Sequence, residues 1–204
     1  MDTSIRIPLA LTADENKAYS RFDDALKFGR LEARRIYLDT AINDDSGRDF
    51  RALTDAMLGA GLQPIQLIIN SAGGSVVDGF DIVSQIRSLQ RAGISVRGHV
   101  QGDAASMAAV IFASCSTRSM TSLSRLMWHG VQTFAVGDIT DMREQQRETQ
   151  RMADKLAAIL TATAKPGTRY ANKAWVKRVM VEKRPVWIYP DAALAAGLVD
   201  EVVD

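Results

Sequence analysis

The sequence predicts an α/β fold built on a mainly parallel sheet. Three observations carry that expectation. Strand-like and helix-like patterns alternate from residue 34 to residue 115. The run PIQLIIN (64–70) is almost continuously apolar, as a strand covered on both faces must be. The stretches between the strand-like runs are each long enough to hold a helix, which is what parallel neighbours require.

RRIYLDT (34–40) comes first, alternating so that Ile36 and Leu38 share a face. RDFRALTDAMLGAG then spaces Phe50, Leu53 and Met57 as a helix does and stops at Gly59 and Gly61. Pro64 and Asn70 bound the buried strand, and SVVDGFDIVSQIRSLQR comes next with Val76, Phe80, Val83 and Ile86 on one helical stripe. ISVRGHV (94–100) alternates again, and AASMAAVIFASC (104–115) is an apolar helix. Beyond it, RLMWHG (125–130) is a short strand and FAVGDIT an extended piece with a turn at Gly137. A long helix runs from Asp141 to Ala164, polar at first, then apolar at Met152, Leu156, Ile159 and Leu160, and Lys165-Pro166-Gly167 ends it. A shorter helix around Trp175, Val179 and Met180, a strand RPVWIY, a last helix from Asp191 to Gly197 and the extended LVDEVV complete the chain.

A length of 204 residues suits one domain with a sizeable core, taken as 34–204, preceded by an N-terminal segment, 1–33, that is flexible or axial. No repeat or linker divides it. The formal charge of +1 argues against a nucleic-acid or membrane-surface binder. KPGTRYANKAWVKRVMVEKR (165–184) is basic, but Trp175, Val179 and Met180 give it a buried stripe, so it is a solvated helix face rather than a nucleic-acid patch. The single Cys115 has no internal disulfide partner, which points to a reducing compartment. The apolar stretch in MDTSIRIPLALTADENK is too short for a signal peptide, and no run approaches the roughly 20 apolar residues of a membrane span. The expectation is a cytoplasmic chain with no membrane contact. No metal-ligand cluster or phosphate-binding loop occurs, so no metal, nucleotide or other cofactor is expected.

Three stretches carry chemistry. INSAGGSV (69–76) sets two glycines between the buried strand and a helix start, where backbone can approach another group closely and exposed N–H groups can hold an anion. GDAASMAAV (102–110) surrounds Ser106 with very small side chains; Asp103 caps the helix and Ser106 falls in its first turn, beside unpaired N–H groups that include that of Met107. LMWHG (126–130) ends a strand on His129, one of two histidines. Each stretch alone has a purely structural explanation. A serine, a histidine and an anion-holding turn in one chain make His129 the obvious general base.

INSAGGSVVDGFDI, GDAASMAAVIFASC, SRLMWHG and AALAAGLVDEV, in that order, resemble the Clp protease proteolytic subunit family, within the crotonase-like fold. RRIYLDTAI and GDITDM also fit the family pattern, with extra residues before Val96 and in 165–180. The resemblance implies repeated strand–helix units on a mainly parallel sheet with a protruding long helix. It implies Ser106 as nucleophile, His129 as base, and the backbone N–H groups of Gly74 and Met107 as oxyanion hole. The activity implied is that of a serine endopeptidase hydrolysing unfolded polypeptides through an acyl-enzyme. The partners implied are further copies of the chain, in a heptameric ring or double ring that encloses the sites, and an AAA-type ATPase unfoldase. Helix 141–164 and the piece before it would make contacts between rings.

The family's third catalytic residue is an aspartate in the strand before its last helix, and here the sequence departs. Counting back from Gly197 puts Pro185 at that position; matching Pro190-Asp191-Ala192 instead puts Arg184 there. Neither side chain can orient an imidazole. Glu182 ranks first as a replacement, because a bulge beside Pro185 would redirect it; Asp191 is the alternative, with Asp103 and Asp141 more distant. Ala72 stands where the family commonly has proline, and Trp128-His129-Gly130 replaces its usual Ile-His-Gln. His99 competes as a base, but it lies on the more polar face of its strand, where a structural or interface role is expected. Hydratase chemistry on this fold needs pocket glutamates, and none occurs between Glu32 and Glu144; a Ser–Lys dyad needs a nearby lysine, and none lies between Lys27 and Lys155. The rival of another class is a non-catalytic or weakly active ring subunit with an assembly role. The missing aspartate favours it; Ser106, His129 and the glycine turns oppose it.

Overall fold

The structure, a computed structural model, describes residues 31–59, 61–132, 137–182 and 184–204. The N-terminal segment expected at 1–33 lies almost wholly outside these residues, as do residues 134–136 of the extended piece expected before the long helix. In chain order the elements are β1 (Arg35–Leu38), α1 (Asp44–Gly59), β2 (Ile65–Ser71), α2 (Val76–Arg91), β3 (Val96–Ala105), α3 (Met107–Ala113), β4 (Thr117–Thr121), β5 (Arg125–Trp128), α4 (Ile139–Thr161), α5 (Lys173–Val179), β6 (Val186–Ile188), α6 (Pro190–Ala195) and β7 (Glu201–Val203).

The expected α/β class with a mainly parallel sheet is what forms. Strands β1-β2-β3-β4-β7 lie side by side, all parallel, and each of the first three connections carries a helix. β3 is ten residues long and changes partner along its length. Its first half, Arg97–Val100, pairs with β4, whereas Asp103–Ala105 pairs with β5. β6 then adds to β5 as an antiparallel neighbour. The change of partner coincides with a register shift against β2: Ile69 faces Val100, but Ser71 faces Ala104. Asn70 holds this irregularity, its side-chain oxygen accepting the Asp103 N–H at 3.1 Å. Such a bulge bends a strand and re-aims the residues beyond it. Here the re-aimed strand end delivers Ser106.

Ile36, Leu67, Ile69, Val96 and Val100 are fully buried against helices whose own apolar residues, Phe50, Ile82, Ile86 and Ile111, join the same core. The opposite face of β2 is covered only at Ile68; Gln66 is half-buried and Asn70 exposed, so β2 is not enclosed on both sides as its composition suggested. α3 is buried from Met107 through Phe112, as a helix apolar all round must be. α4 spans 23 residues, and its N-terminal half has no protein cover: residues 139–148 are exposed, and burial begins at Ala153. At about 1.5 Å per residue, that leaves roughly 15 Å of helix projecting from the body. It starts in a capping box, with the Asp138 carboxylate accepting the Thr140 and Asp141 N–H groups and Asp141 reaching back to the Asp138 N–H. These backbone bonds hold the Asp138 carboxyl below the ordinary aspartate range. No described helix is long and apolar enough to cross a membrane.

Two elements differ from the sequence expectation. The helix expected over 104–115 begins only at Met107, because Ala104 and Ala105 pair with Leu126 and Met127 and belong to the strand. Asp103 therefore caps nothing; it sits within β3 and forms a bidentate pair with Arg125 at 2.9 and 2.7 Å. β4 had no alternating pattern to announce it and forms because β3 and β7 both offer it an edge.

Candidate active site

Ser106 occupies the single residue between β3 and α3. Its φ of 55° and ψ of −122° lie in a region that side-chain-bearing residues rarely adopt. Holding a non-glycine residue there costs on the order of 1–3 kcal/mol, which the neighbours on both sides must offset. Its N–H donates to the Met127 carbonyl at 2.8 Å, and α3 is buried along its length. A sharp strand-to-helix turn of this kind presents the hydroxyl outward, and Ser106 does not spend it on capping, since its side chain makes no cap hydrogen bond.

The turn is possible because Gly73 lies against it. A Cβ at Gly73, whose φ is 93°, would stand 2.6 Å from the Ala105 carbonyl oxygen, 2.7 Å from the Ser106 Cβ and 2.9 Å from the Met107 nitrogen. The loop carrying Gly73 is fixed by Ser71, a buried residue at the end of β2. Its hydroxyl donates to the Thr40 carbonyl and accepts the Gly73 N–H. Ile42 completes the arrangement with an isolated parallel bridge to Gly74, its N–H donating to the Gly73 carbonyl and its carbonyl accepting the Ser75 N–H. In that bridge the N–H of Gly74 is the one left over. Met107, as the first residue of α3, has no preceding turn to donate to. Among the described residues neither N–H has a hydrogen-bond partner.

His129 comes directly after the end of β5. Because β5 runs parallel to β3 with Ala105 opposite Met127, the residues just past the two strand ends, Ser106 and His129, come to the same end of the sheet. Both line one cavity of about 450 Å³, together with Gly74 and Met107, and Val110, Leu160 and Met180 supply part of its apolar wall. Of the five residues expected at the site from sequence, Ser106, His129, Gly74 and Met107 line this cavity and Glu182 does not. No hydrogen bond joins the Ser106 hydroxyl to the imidazole among the described residues. Nδ1 of His129 lies 2.6 Å from the Gly130 carbonyl oxygen. A carbonyl only accepts, so in the neutral ring this contact places the proton on Nδ1 and leaves the lone pair on Nε2.

The acids considered as a third member lie elsewhere or are already engaged. The Glu182 carboxylate pairs with Arg178 at 3.5 Å, while its backbone carbonyl accepts the Gly130 N–H at 3.2 Å. Asp191 is exposed in the first turn of α6. Asp103 is held by Arg125, and Asp141 serves the capping box. Extending the β5–β6 register one step past Trp128 opposite Val186 puts Pro185 across from His129, in agreement with the count back from Gly197. His99 is away from the cavity, with its Nδ1 2.9 Å from the Ser119 hydroxyl; burial holds it below its ordinary pKa. Two contributors escape a reading of the sequence for reactive side chains. Ser71 carries a legible sign, a polar residue closing an apolar strand directly before the glycines. Gly130 acts through its main chain, which no side-chain pattern announces. Among the described residues no cluster of histidine, cysteine or acids is arranged to hold a metal ion.

The chain matches the sequence profile of the Clp protease family over residues 19–204. It is 32% identical over 199 residues to the ATP-dependent Clp protease proteolytic subunit 1 of Protochlamydia amoebophila, covering 94% of this chain and 91% of that protein. Against subunit 1 from a Synechococcus species identity is 31% over 180 residues, with 85% of each covered. Against subunit 2 of Gluconobacter oxydans it is 26% over 193 residues, covering 93% of this chain and 82% of that one. A match of this extent, carried by a chain whose strained serine turn, histidine and glycine loop share one cavity, means that the chain belongs to the Clp protease family.

Proposed function

We propose that the chain is the proteolytic subunit of a Clp-type protease, a serine endopeptidase in which Ser106 is the nucleophile and His129 the general base. The observation that carries this reading is the Ser106 turn: a strained residue opening into a cavity shared with His129 and two unpartnered N–H groups. Strain of that kind is kept where it positions a reactive group. In the reaction, Nε2 of His129 takes the Ser106 proton as Oγ attacks the peptide carbonyl. The N–H groups of Gly74 and Met107 donate to the oxyanion, each worth roughly 3–4 kcal/mol in comparable hydrolases. The imidazolium then gives its proton to the departing amine, leaving Ser106 acylated. Water attacks the ester with Nε2 again accepting the proton, and the acid product leaves. The apolar walls, Val110, Leu160 and Met180 among them, suit an apolar side chain next to the cleaved bond.

The assembly belongs to the same reading. The chain acts as a homo-oligomeric ring or double ring receiving unfolded polypeptide from an AAA-type ATPase. The uncovered half of α4, with Ile139 and Met142 exposed, is the surface that would be covered between rings. A fluorophosphonate probe tests the chemistry: the wild type should label and Ser106→Ala should not. The absence of labelling in a well-folded, assembled protein would favour a non-catalytic ring subunit. Among the described residues, the missing link between the Ser106 hydroxyl and the imidazole and the lack of an acid at Nδ1 are the features that speak for that second reading.

A further inference from the structure

The proposed chemistry requires something to orient His129, which has no acid beside it among the described residues. We propose that the Gly130 backbone carbonyl is the orienting group, a positioning element that replaces a carboxylate, and that the base therefore works without charge compensation. This rests on Ser106 and His129 being the nucleophile and base.

The Gly130 carbonyl is not a passing contact. Its own peptide is held by Val131 N–H to the Met180 carbonyl at 3.0 Å, and the preceding peptide by Gly130 N–H to the Glu182 carbonyl at 3.2 Å. Gly130 has no room for a side chain: a Cβ would stand 2.5 Å from that same Glu182 oxygen. The loop after α5 thus grips the residue after the histidine through main-chain atoms and sets the direction of its carbonyl. One step beyond the last β5–β6 pair, Trp128 opposite Val186, Pro185 offers neither an acceptor side chain nor an N–H. Glu182, the nearest candidate acid in sequence, is turned to Arg178.

A carbonyl and a carboxylate differ in what they do for the base. Either fixes the Nδ1–H form and directs Nε2 at its target. Only the carboxylate carries a full charge to stabilise the imidazolium formed as the serine is deprotonated. The arrangement here keeps orientation and gives up that charge. Residues directly opposite in an antiparallel pair carry their Cβ atoms about 5 Å apart on the same face. A carboxylate introduced at 185, one step past the Trp128–Val186 pair, is the substitution best placed to reach the imidazole.

Two measurements on the full-length protein test this. In a His99→Gln chain, which leaves one imidazole, ¹⁵N NMR should show the Nδ1–H tautomer for His129; an Nε2–H ring would overturn the proposal. Pro185→Asp should then label with a fluorophosphonate at least about tenfold faster than the wild type, with Pro185→Asn unchanged. Equal, measurable labelling rates for Pro185→Asp and the wild type, in folded protein, would also overturn it. An Nδ1–H ring in a chain that never labels, even with aspartate at 185, would uphold the positioning and sink the peptidase reading instead.

Discussion

Replacing Gly73 by alanine would strike the turn on which the site is built, without touching a reacting atom. Two costs can be worked from the geometry. At a φ of 93° a side-chain-bearing residue is strained by about 1–2 kcal/mol. The new methyl would also meet the Ala105 oxygen at 2.6 Å and the Met107 nitrogen at 2.9 Å. Both are main-chain atoms of the strand–turn–helix junction, so no rotamer can relieve the clash. Overpacking of this kind costs about 1–3 kcal/mol. The sum is a destabilisation of about 2–5 kcal/mol, read by urea unfolding with an unchanged slope. The folded remainder relieves the clash by moving the 72–75 loop away from Ser106, which carries the Gly74 N–H with it. Loss of one oxyanion donor slows acyl transfer by roughly 10²–10³-fold, so fluorophosphonate labelling should fall by about that factor. A variant within about 0.5 kcal/mol of the wild type that labels at the wild-type rate would mean instead that the loop has slack against the serine turn.

Three further outcomes are expected of individual groups. Ser106→Gly should be more stable than Ser106→Ala by about 1 kcal/mol in urea, since only glycine relaxes at that φ and ψ, although neither should label. Burial depresses the pKa of His99, so the neutral ring is favoured in the folded state. Its contribution is present above the unfolded value of about 6.5 and is lost as pH falls through the lower folded value. His99→Gln should accordingly flatten the acid side of a melting-temperature profile between pH 7 and 5. Cys115 is buried, and desolvation pushes its thiol up to about 12 against the opposing charge of Arg118. It should resist iodoacetamide at pH 8 in the native protein and react only as the chain unfolds.

How far the sequence was legible depends on whether a feature lives in side-chain pattern or in pairing. The apolar run of β2 and the helical stripe of α2 were plain, because burial there is written in residue type. The limit of α3 was not: Ala104 and Ala105 suit a helix as well as a strand, and only their pairing with β5 decides. β4, with Thr117, Arg118 and Ser119, likewise owes its form to neighbours rather than to alternation. The gathering of Ser106, His129, Gly74 and Met107 was legible since all four sit at or just past strand ends, where a parallel sheet collects its chemistry. The partner of Nδ1 was not, and the reason is physical. Residue type can announce only a carboxylate, and Glu182 is the acid that lies in the right neighbourhood. The oxygen that residue contributes there is its peptide carbonyl, which holds Gly130 so that a second peptide carbonyl can face the imidazole. Backbone atoms carry no residue identity. A site that replaces a charged side chain with two main-chain oxygens leaves its trace only as a glycine that tolerates no Cβ and a proline where an aspartate would stand.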